Sequence, residues 1–307
     1  MPKPTYTFVS VATCAYSGAT LLAFFLGAHP EIASLGEMDG LIPTEDPERY
    51  QCSCRQKIRE CHFWARVAEG MARRGFLFDP GNFDLRFSVP GSKVIRYLRT
   101  ASSGIPLMDS IRDFAFLTLT SEGPRTAALA ARNVAFVETV LEVTGKRILV
   151  DTSKGLLRLP ALARLSGLDL RAIHLVRDVR GVVASRKRRE TPLPVTRMAR
   201  QWATNNRRIQ ALLGRLFGHR YLRIRYEDLC RDLEGTLRSI QEFCGCQQVL
   251  LSLDPAKTPH HIVGNPMRLR GAPGVQIDEQ WRKLLTGQEQ ENIRKVANPL
   301  IRRFGYA

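Results

Sequence analysis

Several features are missing from this 307-residue chain, and each absence narrows its function. No window approaches the ~20 consecutive apolar residues of a membrane-spanning helix. No Gly-x-x-x-x-Gly-Lys-Ser/Thr occurs, which excludes the phosphate loop of nucleoside triphosphatases. Internal repeats and long biased segments are lacking too, so a repeat architecture is excluded and globular structure is expected throughout. The start, MPKPTYTFVSV, carries no charged-then-apolar export signal, and a cytoplasmic location is expected. Acidic residues are scarce, 29 Asp and Glu against 46 Lys and Arg, giving a net charge of +17. That excess favours anionic partners: nucleic acid, anionic membrane surfaces, or phosphorylated and sulfated small molecules. Basic stripes interleaved with aromatics and known reader motifs are absent, so no nucleic-acid partner is expected.

What is present suits an α/β protein. Hydrophobic residues make up 44% of the chain, enough for one large domain over 1–307. Short β-branched runs at 6–12, 147–150 (RILV), 172–176 (AIHLV) and 221–225 (YLRIR) read as strands. Helices are expected over 21–26, 57–74, 107–121, 125–144, 179–190, 232–244 and 286–304. Asp151-Thr152-Ser153 reads as a helix N-cap sequence. Strands alternating with helices predict a doubly wound, mostly parallel sheet flanked by helices. Residues 38–146 break that alternation and read as a helical and loop insertion.

The seven cysteines, an odd number, argue against a disulfide framework in a reducing compartment. Cys52, Cys54 and Cys61 form Cys-x-Cys-x6-Cys, three thiols that could bind zinc, with His62 as a fourth ligand. The spacing is not that of a common zinc knuckle, and structural thiols are the default expectation.

The richest stretch is ATCAYSGATLLAFFLGAHPEIASLGE, residues 12–37. A strand, a Ser-Gly turn and an apolar helix can present free N–H groups to an anion at the helix N-terminus. Gly18 permits close approach, and Ser17 and Thr20 add hydroxyl donors. Pro30 should end the helix near His29. The segment resembles the 5′-phosphosulfate loop of sulfotransferases that use 3′-phosphoadenylyl sulfate (PAPS), in their bacterial and Golgi branch. Ser17-Gly18, Thr20-Leu21-Leu22, His29-Pro30 and Gly36-Glu37 fall where that branch places them. Two positions depart: Tyr16 stands for the usual Arg or Lys, and Ala19 for the first Thr.

Further motifs follow in family order. Arg177, at the carboxyl end of a strand, precedes Ser185 by eight residues, which resembles the 3′-phosphate site. A guanidinium fork suits a phosphate there; the alternative is a salt bridge from Arg177 to Asp178 or Glu190. Tyr226, in Tyr-Glu-Asp-Leu, resembles the family's adenine contact, or simply packs at a strand end. Arg268, Arg270 and Gly271 lie in a Gly-containing basic loop followed by Asp278 and Trp281, as in the family's closing loop, with Arg268 favoured for the phosphate. His62-Phe63-Trp64 after the Cys turn also matches bacterial members.

The resemblance implies an α/β, P-loop-like sulfotransferase fold whose 38–146 insertion, with loops near 190–200, lines the acceptor pocket. It also implies PAPS as co-substrate, bound by residues 16–21 (Tyr16, Ser17, Gly18, Ala19, Thr20, Leu21), Arg177, Ser185, Tyr226, Arg268, Arg270 and Gly271. Glu37 matches the catalytic Glu of Golgi-type members and would take the acceptor proton; otherwise it is a capping or salt-bridging residue. Lys154 is the substitute cation for the one lost at Tyr16. His29 reads as a turn residue rather than a base. The expected acceptor is a hydroxyl, or secondarily an amine, of a small molecule, lipid or saccharide. No divalent metal is implied for the transfer. The Tyr16 departure leaves open a nucleotide-binding relative with little catalysis.

Overall fold

The computed structural model describes residues 6–40, 45–87, 108, 111, 122–189, 193–251, 262–264, 266–269 and 275–306. Among them a five-stranded, wholly parallel sheet runs in the order β2-β3-β1-β4-β5. The strands are β1 (Thr7–Thr13), β2 (Ile32–Ser34), β3 (Ile148–Asp151), β4 (Asp169–Val176) and β5 (Tyr221–Arg225). Every residue of β1 is buried, as a central strand covered on both faces requires. Val9 and Val11 face one layer with Leu22, Phe25 and Leu26, while Phe8 and Ala12 face the other.

The first layer holds α1 (Ala19–Gly27), α7 (Tyr226–Arg231) and α8 (Leu233–Cys244). Leu22, Phe25 and Leu26 are fully buried, each contributing roughly 1.5–3 kcal/mol of apolar burial. The opposite face is covered by α3 (Glu122–Thr144), α4 (Arg158–Leu165), α5 (Val179–Arg189), α6 (Val195–Phe217) and α10 (Gly287–Arg303). Helix α2 (His62–Arg73) packs on α3, where Trp64 stacks near Phe78, Phe83 and Phe136. A short α9 (Trp281–Leu284) precedes α10, whose start is fixed by a capping box between Thr286 and Glu289.

The strand assignments from sequence agree with this sheet, and most helix bounds hold within a few residues. Helix α2, however, begins at His62 rather than 57. The preceding residues form a tight turn in which Cys52 N–H donates to Gln56 O at 2.9 Å and Ile58 N–H to Tyr50 O at 2.8 Å. Asp151-Thr152-Ser153 is no helix cap either. Asp151 ends β3, and α4 starts only at Arg158. β2 and the 23-residue α6 were not expected; the helix expected at 107–121 lies outside the described residues apart from 108 and 111.

Strand order places the topological switch beside β1. From β1 the chain runs outward to β2, and β3 returns to pair with β1 on that side; β4 and β5 extend the other side. Loops leaving the carboxyl ends of β1 and β4 therefore flank the crevice where ligands of open parallel sheets collect.

Candidate functional site at the carboxyl edge of the sheet

The loop after β1 is bent by two left-handed residues, Tyr16 at φ 64° and Gly18 at φ 89°. Gly18 is the N-cap of α1 and no side chain caps that end. The first-turn N–H groups and the positive end of the helix dipole thus face the crevice edge. Ser17 is 2% exposed, and its hydroxyl has no partner. A buried unpaired hydroxyl is costly, so this one suits a ligand oxygen. At Gly18 the backbone lies under the Tyr226 ring, where a Cβ would stand 2.5 Å from Cδ2. Only glycine satisfies both the backbone angle and that contact. Cys14, nearby, is held as a neutral thiol: burial pushes it up to about 12, and Asn206 Nδ2 donates to its sulfur at 3.3 Å.

Arg177 leaves the end of β4 and reaches the same loop. Its Nη1 donates to the Tyr16 carbonyl at 2.8 Å and approaches Ser185 Oγ at 3.4 Å. Nη2 donates to Asp278 Oδ2 at 3.0 Å, and the guanidinium carbon lies 4.6 Å from the Tyr226 ring centroid. Its salt bridge is therefore to Asp278; Asp178 pairs instead with Arg180. Trp202 Nε1 donates to the Arg177 carbonyl at 3.1 Å, fixing the backbone from α6. Burial raises the Tyr226 phenol above its ordinary range, so the ring presents a neutral face.

Across the crevice, β2 and β3 deliver a second group. Gly36 (φ 76°) pairs with Val263, and Glu37 follows it. The Glu37 carboxylate forms an ion pair with Lys154, three residues beyond β3. Beneath them lies a buried network. Asp151 accepts from Met38 N–H at 3.0 Å, from Ser153 N–H at 2.9 Å and from Arg158 Nη1 at 2.6 Å. Arg158 also donates to Asp39 at 2.6 Å and to Asn133 at 3.0 Å. With Asp151 1% and Arg158 3% exposed, removing either partner should cost roughly 3–5 kcal/mol. The network fixes the turn that carries Glu37. Glu37, Lys154, the Ser17–Gly18 loop and Arg177 thus all lie at the carboxyl edge of one parallel sheet.

Residues 106–249 match the model described as the sulfotransferase family. That stretch, 144 of the 307 residues, is similar to the sulfotransferase family. The fold of the chain is similar to the sulfotransferase domain of the Synechococcus PCC 7002 olefin synthase. That likeness has 19% identity and a TM-score of 0.52, covering 97% of this chain and 95% of that one. It is also similar to the sulfotransferase domain from the curacin biosynthetic pathway, at 17% identity and TM-score 0.50, covering 97% of each chain. No curated protein sequence matches the chain.

Within this sulfotransferase fold, the expected residues divide. Tyr16 through Leu21, Arg177, Ser185 and Tyr226 come together around the β1 loop, and Glu37 meets Lys154. Arg268 is placed elsewhere: it donates to Gln51 O at 2.9 Å and lies 4.0 Å from the Tyr50 ring centroid. Arg270 and Gly271, like Glu190, lie outside the described residues. His29 has its ring at turn contacts, with Nε2 2.8 Å from the Gln247 carbonyl. The basic run Arg186–Arg189, which the sequence places beside the nucleotide site as electrostatic steering, contributes Arg189, whose guanidinium lies over the Tyr16 ring at 5.7 Å. The RKRR run at 186–189 was the available signal, yet only the fold shows which of its cations meets the loop.

Proposed function

We propose that the protein transfers a sulfuryl group from PAPS to a hydroxyl of a small-molecule, lipid or saccharide acceptor, with amines as a second acceptor class. The observation that carries this reading is the juxtaposition of Arg177 with the loop of the unpartnered Ser17 hydroxyl. The two motifs assigned to opposite ends of one nucleotide meet at one sheet edge. The residues present fit the nucleotide: an unpaired buried hydroxyl, an uncapped helix N-terminus, a guanidinium fork and a neutral aromatic face.

When bound, PAPS supplies an activated sulfuryl group. Ser17, Thr20 and the N–H groups at the start of α1 hold its 5′-phosphosulfate end. Arg177 and Ser185 hold the 3′-phosphate, and Tyr226 offers the adenine side an aromatic face. Glu37 takes the proton of the acceptor hydroxyl as its oxygen bonds to sulfur, and Lys154 orients the carboxylate. Lys154 is engaged with Glu37, and the cation that lies over the Tyr16 ring is Arg189. Its charge, over the neutral Tyr16 ring, supports the phosphate that leaves. We place the reaction within one domain over 1–307 and in the cytoplasm.

The neutral residue at Tyr16 favours one rival, a nucleotide-binding relative with weak or no catalysis. Incubation with radiolabelled PAPS and a cell extract, followed by mass identification of labelled product, separates the two. Label transfer with release of 3′,5′-ADP is expected. Tight 3′,5′-ADP binding without transfer to any acceptor would favour the rival, and failure to bind 3′,5′-ADP would refute both.

A further inference from the structure

One cluster of reactive side chains lies outside the proposed transfer site. The sulfurs of Cys52, Cys54 and Cys61 all lie within 4.8 Å of one another. Cys54 and Cys61 sulfurs are 3.6 Å apart. Three ligands on one tetrahedral ion, each with a metal–sulfur bond of about 2.3 Å, stand about 3.8 Å apart. Cys-x-Cys-x6-Cys spacing alone did not favour this meeting. The fold produces it through a tight turn, where Arg55 N–H donates to Cys52 O at 2.8 Å and Arg55 adopts φ 69°. Cys61 then enters as the N-cap residue of the 12-residue α2.

We propose that Cys52, Cys54 and Cys61 form a site for a thiophilic d10 cation, Zn²⁺ or Cu⁺. Cys52 and Cys61 are fully buried, while Cys54 is exposed and opens the site to solvent, which supplies both the entry path and any fourth ligand. A disulfide would join only two of the three sulfurs; a metal ion uses all of them. Binding forms three sulfur–metal bonds and breaks three S–H bonds, with the protons passing to solvent. The site is structural. Its turn holds the segment beside Glu37: Ser53 Oγ accepts from Ile262 N–H at 2.8 Å and Tyr50 Oη from Gly264 N–H at 2.7 Å. Val263, between them, pairs with Gly36.

The test uses the reduced full chain, and its readouts are independent of sulfuryl transfer. Elemental analysis after metal supplementation should find about one equivalent of zinc or copper per chain. Titration with Co²⁺ as the zinc probe should produce thiolate-to-cobalt charge-transfer absorption in the near ultraviolet, with intense tetrahedral visible bands. Copper uptake without a cobalt spectrum would assign the site to Cu⁺. Cys54→Ser, at the exposed ligand, should shift that spectrum or weaken retention at least tenfold, and Cys52→Ser should abolish it. Uptake below about 0.1 equivalent of all three metals by fully reduced protein would overturn the proposal. So would a Cys54→Ser chain binding each metal as the natural one does.

Discussion

Replacing Arg177 with Ala should remove the grip on a 3′-phosphate while sparing much of the remaining nucleotide affinity. The fork engages Tyr16 O at 2.8 Å, Asp278 at 3.0 Å and Ser185 at 3.4 Å. An incoming phosphate must displace Asp278, which retains a second partner in Arg188 at 3.5 Å. Two charge-assisted hydrogen bonds to phosphate are worth ~3–6 kcal/mol in total. Surrendering the part-exposed Asp278 pair returns about 1 kcal/mol of that. The net loss in Arg177→Ala is therefore about 3 kcal/mol, or roughly a hundredfold in affinity. Calorimetric titration with 3′,5′-ADP and with 5′-AMP reads it directly. The natural protein should prefer 3′,5′-ADP, and the preference should collapse in the variant, with 5′-AMP affected far less. Asp278→Asn supplies the opposite sign, since it removes the competing carboxylate and should tighten 3′,5′-ADP severalfold. Equal losses for both nucleotides, or none, would refute the assignment of this arginine.

Other outcomes test the remaining residues. Glu37→Gln should lower turnover about 10²–10⁴-fold with 3′,5′-ADP affinity unchanged, and Lys154→Ala should cost at least about tenfold, ~1.4 kcal/mol of barrier. Turnover at the natural rate in either variant would remove that residue from the mechanism. Arg189→Ala should slow transfer about tenfold in the natural background but little beside Tyr16→Arg; additive effects in that double-mutant cycle would sever the pair. Urea unfolding across pH should expose His174, which burial pulls down to about 4 from an ordinary 6.5, with Arg223 acting in the same direction. Between those values the unfolded chain binds the extra proton, so stability is complete above about pH 6.5 and falls as pH drops toward 4. The loss is at most about 3 kcal/mol, and His174→Gln should flatten it.

Local signals made much of the fold legible. The Val- and Phe-rich, wholly buried β1 and its Ser-Gly turn need no partner to be recognised, because burial on both faces and a left-handed turn each leave a compositional mark. β2 left too little to read: three residues, Ile32–Ser34, fall below any periodicity test, and pairing with β3 makes them a strand. Asp151 misled for a related reason. An Asp-Thr-Ser run caps helices in isolation, yet here its carboxylate is taken by Arg158, Ser153 and Met38 N–H.

By itself, then, the sequence determined the parallel α/β architecture, the loop at Ser17–Gly18 and the positions of Arg177, Tyr226 and Glu37, since each rests on short-range pattern. Tertiary structure alone decided the pairings: Arg177 with Tyr16 O and Asp278, Glu37 with Lys154, Arg189 over Tyr16, and three sulfurs in one cluster. Those contacts join residues up to 173 apart in the chain (16 to 189), and no local pattern encodes which of 46 basic side chains will meet a given partner. Strand order does so, by bringing the carboxyl ends of β1, β2, β3 and β4 to one edge.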